Sequence, residues 1–242
     1  MTPRAAGSGK AGSWKAGSWK AGLKTRLYVV VLILGVVVEV GVQARMQTST
    51  QRHRPLFPPL DFGQLEAPDR AAWQKPDQIM DTLGIADGSV VADIGTGAGW
   101  FTIHLARRVG PNGIVYAEDV QRESLEATRR RVTREGLRNV KVRLGTESDP
   151  NLPAGEIDAV LMVDVYPELD VNDRVTFLRN LRRAIKPNGR IGVVNYRPGR
   201  GGPGPDDLRV ARSVVEADAR AAGLRVSATE DLPYQYLLVL GN

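Results

Sequence analysis

Residues 90–101 read Val-Val-Ala-Asp-Ile-Gly-Thr-Gly-Ala-Gly-Trp-Phe, an apolar run that ends in an acid and gives way to glycine at 95, 97 and 99. Few local patterns restrict a chain more. The apolar run predicts a short buried strand, and Phe101, Leu105 and Val109, four apart, predict a helix from Trp100 to Val109. Between strand and helix the chain must turn sharply. Three residues without Cβ let the backbone make that turn and come close to a ligand. A tight turn with no ligand is the competing reading, and it needs fewer glycines.

The same alternation continues from Arg70. Helical patterns cover Lys75–Ile85, Gln121–Gly136, Asp173–Lys186 and Asp206–Ala222. Strand patterns cover Val90–Asp93, Gly113–Ala117, Val140–Leu144, Ile157–Val163, Arg190–Tyr196, Leu224–Ala228 and Tyr236–Leu240. Strands alternating with helices predict an α/β fold with a doubly wound, mainly parallel seven-stranded sheet. The last two strands are too close in sequence for a helical crossover, so they form a C-terminal antiparallel hairpin.

In such a sheet the ligand sits at the carboxyl ends of the strands, where strand order reverses. A dinucleotide loop spaces its glycines as G-x-G-x-x-G and receives a pyrophosphate. Here the spacing is G-x-G-x-G, and Asp93 stands two residues before the first glycine. A carboxylate there opposes pyrophosphate and suits a phosphate-free cation. S-adenosylmethionine, with its sulfonium and ammonium, is such a ligand.

The stretch VVADIGTGAGWFTIHLA resembles the first motif of class I S-adenosylmethionine-dependent methyltransferases of the ubiquinone/menaquinone-biosynthesis-like kind. The likeness runs from about Trp73 to the C-terminus through GIVYAEDV, DAVLMVDVY, LRRAIKPNGRIGVV and LPYQYLLVL. It implies a Rossmann-like methyltransferase fold with S-adenosyl-L-methionine as cofactor. It implies that Gly95, Thr96, Gly97 and Gly99 line the methionine part, and that Asp93 holds its amino group directly or through water. Asp119, or its neighbour Glu118, takes the ribose hydroxyls. Thr146 or Glu147, in the loop after the third strand, meets the adenine. Asp164, ending the fourth strand, lies beside the methyl donor, and Asp164 and Glu168 are the candidate catalytic carboxylates. Relatives often have a histidine where Pro167 stands, which removes a ready proton acceptor. Tyr196, Arg197 and Tyr234, near strand ends, are candidates for the acceptor pocket, and packing explains them equally well.

Methyl transfer to a small-molecule acceptor is therefore the leading expectation. A non-catalytic S-adenosylmethionine-binding protein and an NAD-dependent oxidoreductase are the alternatives. No cysteine and only two histidines, His53 and His104, exclude thiolate chemistry and a multi-histidine metal centre. Nine Lys or Arg precede residue 55 against one acid, Glu39; this local excess is larger than the net charge of +6, so the remainder is slightly acidic. No nucleic-acid partner is expected, and clusters such as Arg129-Arg130-Arg131 read as solvated helix faces.

That basic N-terminal part divides further. Residues 1–26 carry a tandem AGSWK repeat and read as a flexible basic tail. Residues 27–44 contain an uncharged apolar run, Leu27–Val38, shorter than a membrane span requires. With the preceding positive charge and Val42-Gln43-Ala44 behind it, the run reads as a signal cleaved after Ala44 or an uncleaved anchor. Either places the protein at a membrane or outside the cytoplasm. Initiation at Met46 would instead leave it cytoplasmic. Residues 45–69, with Pro55, Pro58 and Pro59, read as a linker, and 70–242 as the methyltransferase-like domain.

Overall fold

A computed structural model describes residues 67–203 and 206–242. The expected tail, the apolar segment 27–44 and nearly all of the linker lie outside the described residues. Among the described residues no helix is long and apolar enough to cross a membrane.

Two short helices open the domain, α1 (Arg70–Gln74) and α2 (Pro76–Thr82), joined at Lys75, whose φ of 54° turns the chain between them. Pro76 takes the first position of α2, where a missing N–H costs nothing. Then follow β1 (Val90–Ile94), α3 (Trp100–Val109), β2 (Ile114–Asp119), α4 (Arg122–Arg134), β3 (Val140–Leu144) and β4 (Ile157–Val163). A 3₁₀ turn at Tyr166–Glu168 leads to α5 (Arg174–Ala184) and β5 (Ile185–Tyr196). A second 3₁₀ turn, Asp206–Leu208, precedes α6 (Arg212–Ala221), β6 (Arg225–Asp231) and β7 (Gln235–Gly241).

The seven strands stand in the order β3-β2-β1-β4-β5-β7-β6. Strands β1 to β5 pair in parallel, and β7 runs antiparallel to both β5 and β6. The expected hairpin is there, with β7 inserted between its partner and the parallel sheet. After β3 the chain returns to the other side of β1, so strand order reverses between β1 and β4. That is the binding crevice of an open α/β sheet.

Alternate residues of each strand feed two apolar layers. Val91, Val115, Ala159 and Leu161 pack with Met80 of α2, with Leu83 just after it, and with Phe101, Leu105 and Val109 of α3. Ala92, Ile94, Val160 and Met162 pack on the other side with Phe177, Leu178 and Leu181 of α5 and Val215 and Ala219 of α6. Each fully buried leucine contributes about 1.5–3 kcal/mol relative to exposure. The layers hold the carboxyl ends of β1 and β4 in fixed register, with Ile94 opposite Met162.

Two helices differ from the sequence pattern. The one expected over Asp173–Lys186 ends at Ala184, and Lys186-Pro187-Asn188-Gly189 lies inside the span of β5. Proline disfavours helical backbone in the residue before it, and Ile185 is already extended and paired with Ile157. The helix expected over Asp206–Ala222 is a 3₁₀ turn and a separate α6. The chain is diverted where Arg209 donates to the carbonyls of Arg197 (3.2 Å) and Arg200 (2.7 Å). β6 also runs on to Asp231, because pairing with β7 continues through its exposed polar residues.

Candidate active site

The glycine loop leaves β1 through Gly95, Gly97 and Gly99, all in left-handed backbone at φ of 65°, 54° and 80°. At Gly95 the need for glycine is steric as well, since a Cβ would lie 2.3 Å from Val165 Cγ2. Gly97 is pinned at both ends. Its N–H donates to Asp119 Oδ2 (3.0 Å), and its carbonyl accepts from Thr128 Oγ1 of α4 (2.9 Å). Arg131 of α4 adds a bond to the Ala98 carbonyl (3.3 Å).

Beneath the loop lies Asp93. Its Oδ2 accepts from Thr102 Oγ1 (2.6 Å) and Thr96 Oγ1 (3.2 Å). Burial raises its pKa from 3.8 to about 6, against the lowering effect of those hydroxyls and of Arg70. Thr96 also donates its N–H to the Glu118 carbonyl (2.9 Å). Its polar groups therefore serve the shape of the loop.

Asp164 lines the same cleft as Asp93, a space of about 540 Å³ that includes open solvent. It sits at φ 59°, a strained conformation for a residue with a Cβ that Asp tolerates better than most, and its N–H donates to the Val194 carbonyl (2.9 Å). Gln235 Nε2 reaches both carboxylate oxygens, at 2.9 and 2.8 Å. Burial nonetheless raises the Asp164 pKa from 3.8 to about 7, with Arg70 and Gln235 lowering it and Glu168 raising it. Arg70 completes the wall, its guanidinium 4.2 Å from the centre of the Trp100 ring.

Asp93, Gly95, Thr96, Gly97 and Asp164, all named from the sequence, line this cleft; Gly99, Asp119, Thr146 and Glu168 do not. Gly99 caps α3. Asp119 supports the loop, its second oxygen accepting from the Gln121 N–H (2.8 Å). Its rival Glu118 is buried, and a Cβ on Gly145 would lie 1.8 Å from Glu118 Oε1. Desolvation holds the Glu118 carboxyl well above its usual range. Thr146 is exposed and closes a turn with Asp149, its hydroxyl accepting the Asp149 N–H at 3.0 Å. Tyr166 is fully buried and its hydroxyl is tied to Asp218 of α6. His104 packs 4.4 Å from Trp100, and burial lowers its pKa.

Residues 91–189 match the family described as a methyltransferase domain. Those residues carry a class I S-adenosylmethionine-dependent methyltransferase domain. S-adenosyl-L-methionine is the methyl donor of this class. The nocamycin O-methyltransferase of Saccharothrix syringae is 32% identical over 124 residues, covering 50% of this chain and 42% of that protein. The demethylmenaquinone methyltransferase of Geobacillus stearothermophilus is 31% identical over 117 residues, 48% of each chain. The chain thus spans under half the length of these curated relatives. A solved S-adenosylmethionine-dependent methyltransferase from Aquifex aeolicus superposes with a TM-score of 0.71 at 28% identity, covering 76% of this chain and 98% of that one.

The methyltransferase domain's cleft fits the donor's chemistry. Two carboxylates, Asp93 and Asp164, and one guanidinium, Arg70, line it, charges that would complement a ligand with two cationic centres and a single carboxylate. The backbone at Gly95 leaves no room for a side chain. Sequence reasoning missed Arg70, Gln74, Thr102 and Gln235, whose roles arise only from contacts between distant elements. Trp100 alone carried a local signal, as an aromatic directly after the third glycine.

Proposed function

We propose that the protein methylates a small molecule whose accepting atom must lose a proton, and that Asp164 takes that proton. S-adenosylmethionine, when bound, supplies a methyl group already activated by a sulfonium. The chain's own residues then have three tasks. The loop from Gly95 to Gly99, with Asp93 beneath it and Asp119 behind it, binds and orients the donor. The wall beyond Asp164 aligns the acceptor, and alignment is the main catalytic contribution to a displacement of this kind. Trp73 packs against Tyr196 and Tyr234, with ring centres 6.2 and 6.0 Å away, and these three rings are the surface we assign to the acceptor. Asp164 supplies the third task, proton acceptance.

The observation that carries this reading is Asp164 itself. It is a cleft-lining carboxylate whose pKa of about 7 suits a base working near neutrality. Glu168 lies on the adjacent turn and acts on Asp164 electrostatically. The small-molecule acceptor class is supported by the relatives named above, whose substrates are small molecules.

The test is incubation of the full chain with methyl-labelled S-adenosylmethionine and a small-molecule extract. Label should move into an extractable product, and Asp164→Asn should slow it by about 10²–10⁴-fold while still binding S-adenosylhomocysteine. Undiminished transfer by that variant removes the role of Asp164. Binding of the donor with no transfer to any extract supports a non-catalytic binder instead.

A further inference from the structure

We propose that Gln235 is a positioning residue whose amide holds the Asp164 carboxylate ionised and aimed at the cleft, with Gln74 and Arg70 fixing the direction in which that amide points. The inference rests on the reading of Asp164 as the proton acceptor. It is carried by one continuous run of hydrogen bonds. Arg70 Nε donates to Gln74 Oε1 (2.5 Å), Gln74 Nε2 donates to Gln235 Oε1 (2.9 Å), and Gln235 Nε2 donates to both oxygens of Asp164.

Each amide in this run has only one workable orientation. Turning the Gln235 amide over would set its oxygen against a carboxylate and its nitrogen against the Gln74 nitrogen. Both glutamines are fully buried, so water cannot repair such a mismatch. The run begins at a guanidinium, which can only donate, and ends at a carboxylate, which when ionised can only accept. Every donor therefore points the same way, and the whole run favours the charged form of Asp164.

Other charged and titratable groups also act there. Glu168 on the same turn opposes ionisation, while Arg70 from α1 and Arg209 from the loop before α6 favour it. Tyr196 of β5 and Tyr236 of β7 feel the same carboxylate, and burial, with Asp164 as a further cause, pushes the Tyr236 hydroxyl up to about 12. Among these neighbours Gln235 donates to both oxygens, so its removal acts directly on the protonation of Asp164.

The test follows the aspartate carboxyl carbons of the ¹³C-labelled full chain by NMR through a pH titration, with the Asp164 signal assigned from Asp164→Asn. Gln235→Leu should raise the Asp164 midpoint by about one pH unit, because a donor to the charged form is lost. Gln74→Leu should raise it by less, because Gln235 stays but is free to turn over. The Asp93 midpoint should hold in both variants, whereas general loosening of the domain would move both signals. An unchanged Asp164 midpoint in Gln235→Leu overturns the proposal. If that variant does not fold, an unchanged midpoint in Gln74→Leu overturns it equally. No donor or acceptor enters this measurement, so a negative result leaves methyl transfer standing. Failure of the wild-type chain to bind S-adenosylmethionine in calorimetry would sink methyl transfer without touching the relay.

Discussion

Replacing Asp93 with asparagine should make the protein more stable at neutral pH and worse at binding its donor. Asp93 is 3% exposed, and burial lifts its pKa from 3.8 to about 6. The folded state therefore keeps this proton to higher pH than the unfolded state does. Stability falls as pH rises from about 4 to about 6, then levels off. Two pKa units at about 1.4 kcal/mol each set the size of that loss at roughly 2–3 kcal/mol. Asparagine has nothing to ionise, yet its amide oxygen can still accept from Thr102. Urea unfolding of the full chain and of Asp93→Asn across this pH range checks the reasoning. The stability difference between the two should grow by roughly 2–3 kcal/mol from pH 4 to pH 7 in favour of the variant. Constant effects of the substitution cancel in that comparison. Calorimetry at pH 7 should show at least about tenfold weaker binding of S-adenosylmethionine, since a charge-assisted contact is lost. A stability difference that does not vary with pH would refute the reasoning, because it would mean that Asp93 ionises as freely in the folded protein as in the unfolded chain.

Two further substitutions bear on the architecture around the cleft. Gly95→Ala places a methyl 2.3 Å from Val165 Cγ2 in a left-handed conformation and should cost about 1–3 kcal/mol in thermal or urea unfolding. Adding Val165→Ala should recover only part of that loss, because the backbone strain stays. Tyr166→Phe removes the buried bond to Asp218 and should cost about 1–3 kcal/mol. Its effect on S-adenosylhomocysteine binding should be small, because the hydroxyl is directed at α6 and away from the donor loop.

How far the fold could be read from the sequence depended on the range of the interactions. The helix Trp100–Val109 was legible to the residue, because Phe101, Leu105 and Val109 are all buried at regular spacing. The antiparallel hairpin followed from a short connection alone. The end of α5 was not legible from periodicity, since Pro187 acts on the backbone before it whatever the apolar pattern. The break at residues 209–211 depends on Arg209 reaching carbonyls across a loop, which no pattern along one segment records. In the site, glycine spacing and Asp93 were visible because loop and strand are contiguous. Thr102 was within nine residues of Asp93 but looked like any polar helix residue. Gln74 and Gln235 carry no local pattern that marks them, and only their joint burial and mutual hydrogen bond do.

The placement of β7 between β5 and β6 bears on the order in which the molecule can assemble. Asp93 meets Thr102 across nine residues and Gly97 meets Asp119 across 22, whereas Asp164 waits for Gln235, 71 residues on. Contacts of short separation close with less entropic loss and form early, while distant ones come late. A refolding chain should therefore regain its nucleoside cradle first, and acquire a competent proton acceptor only when the final hairpin slots home.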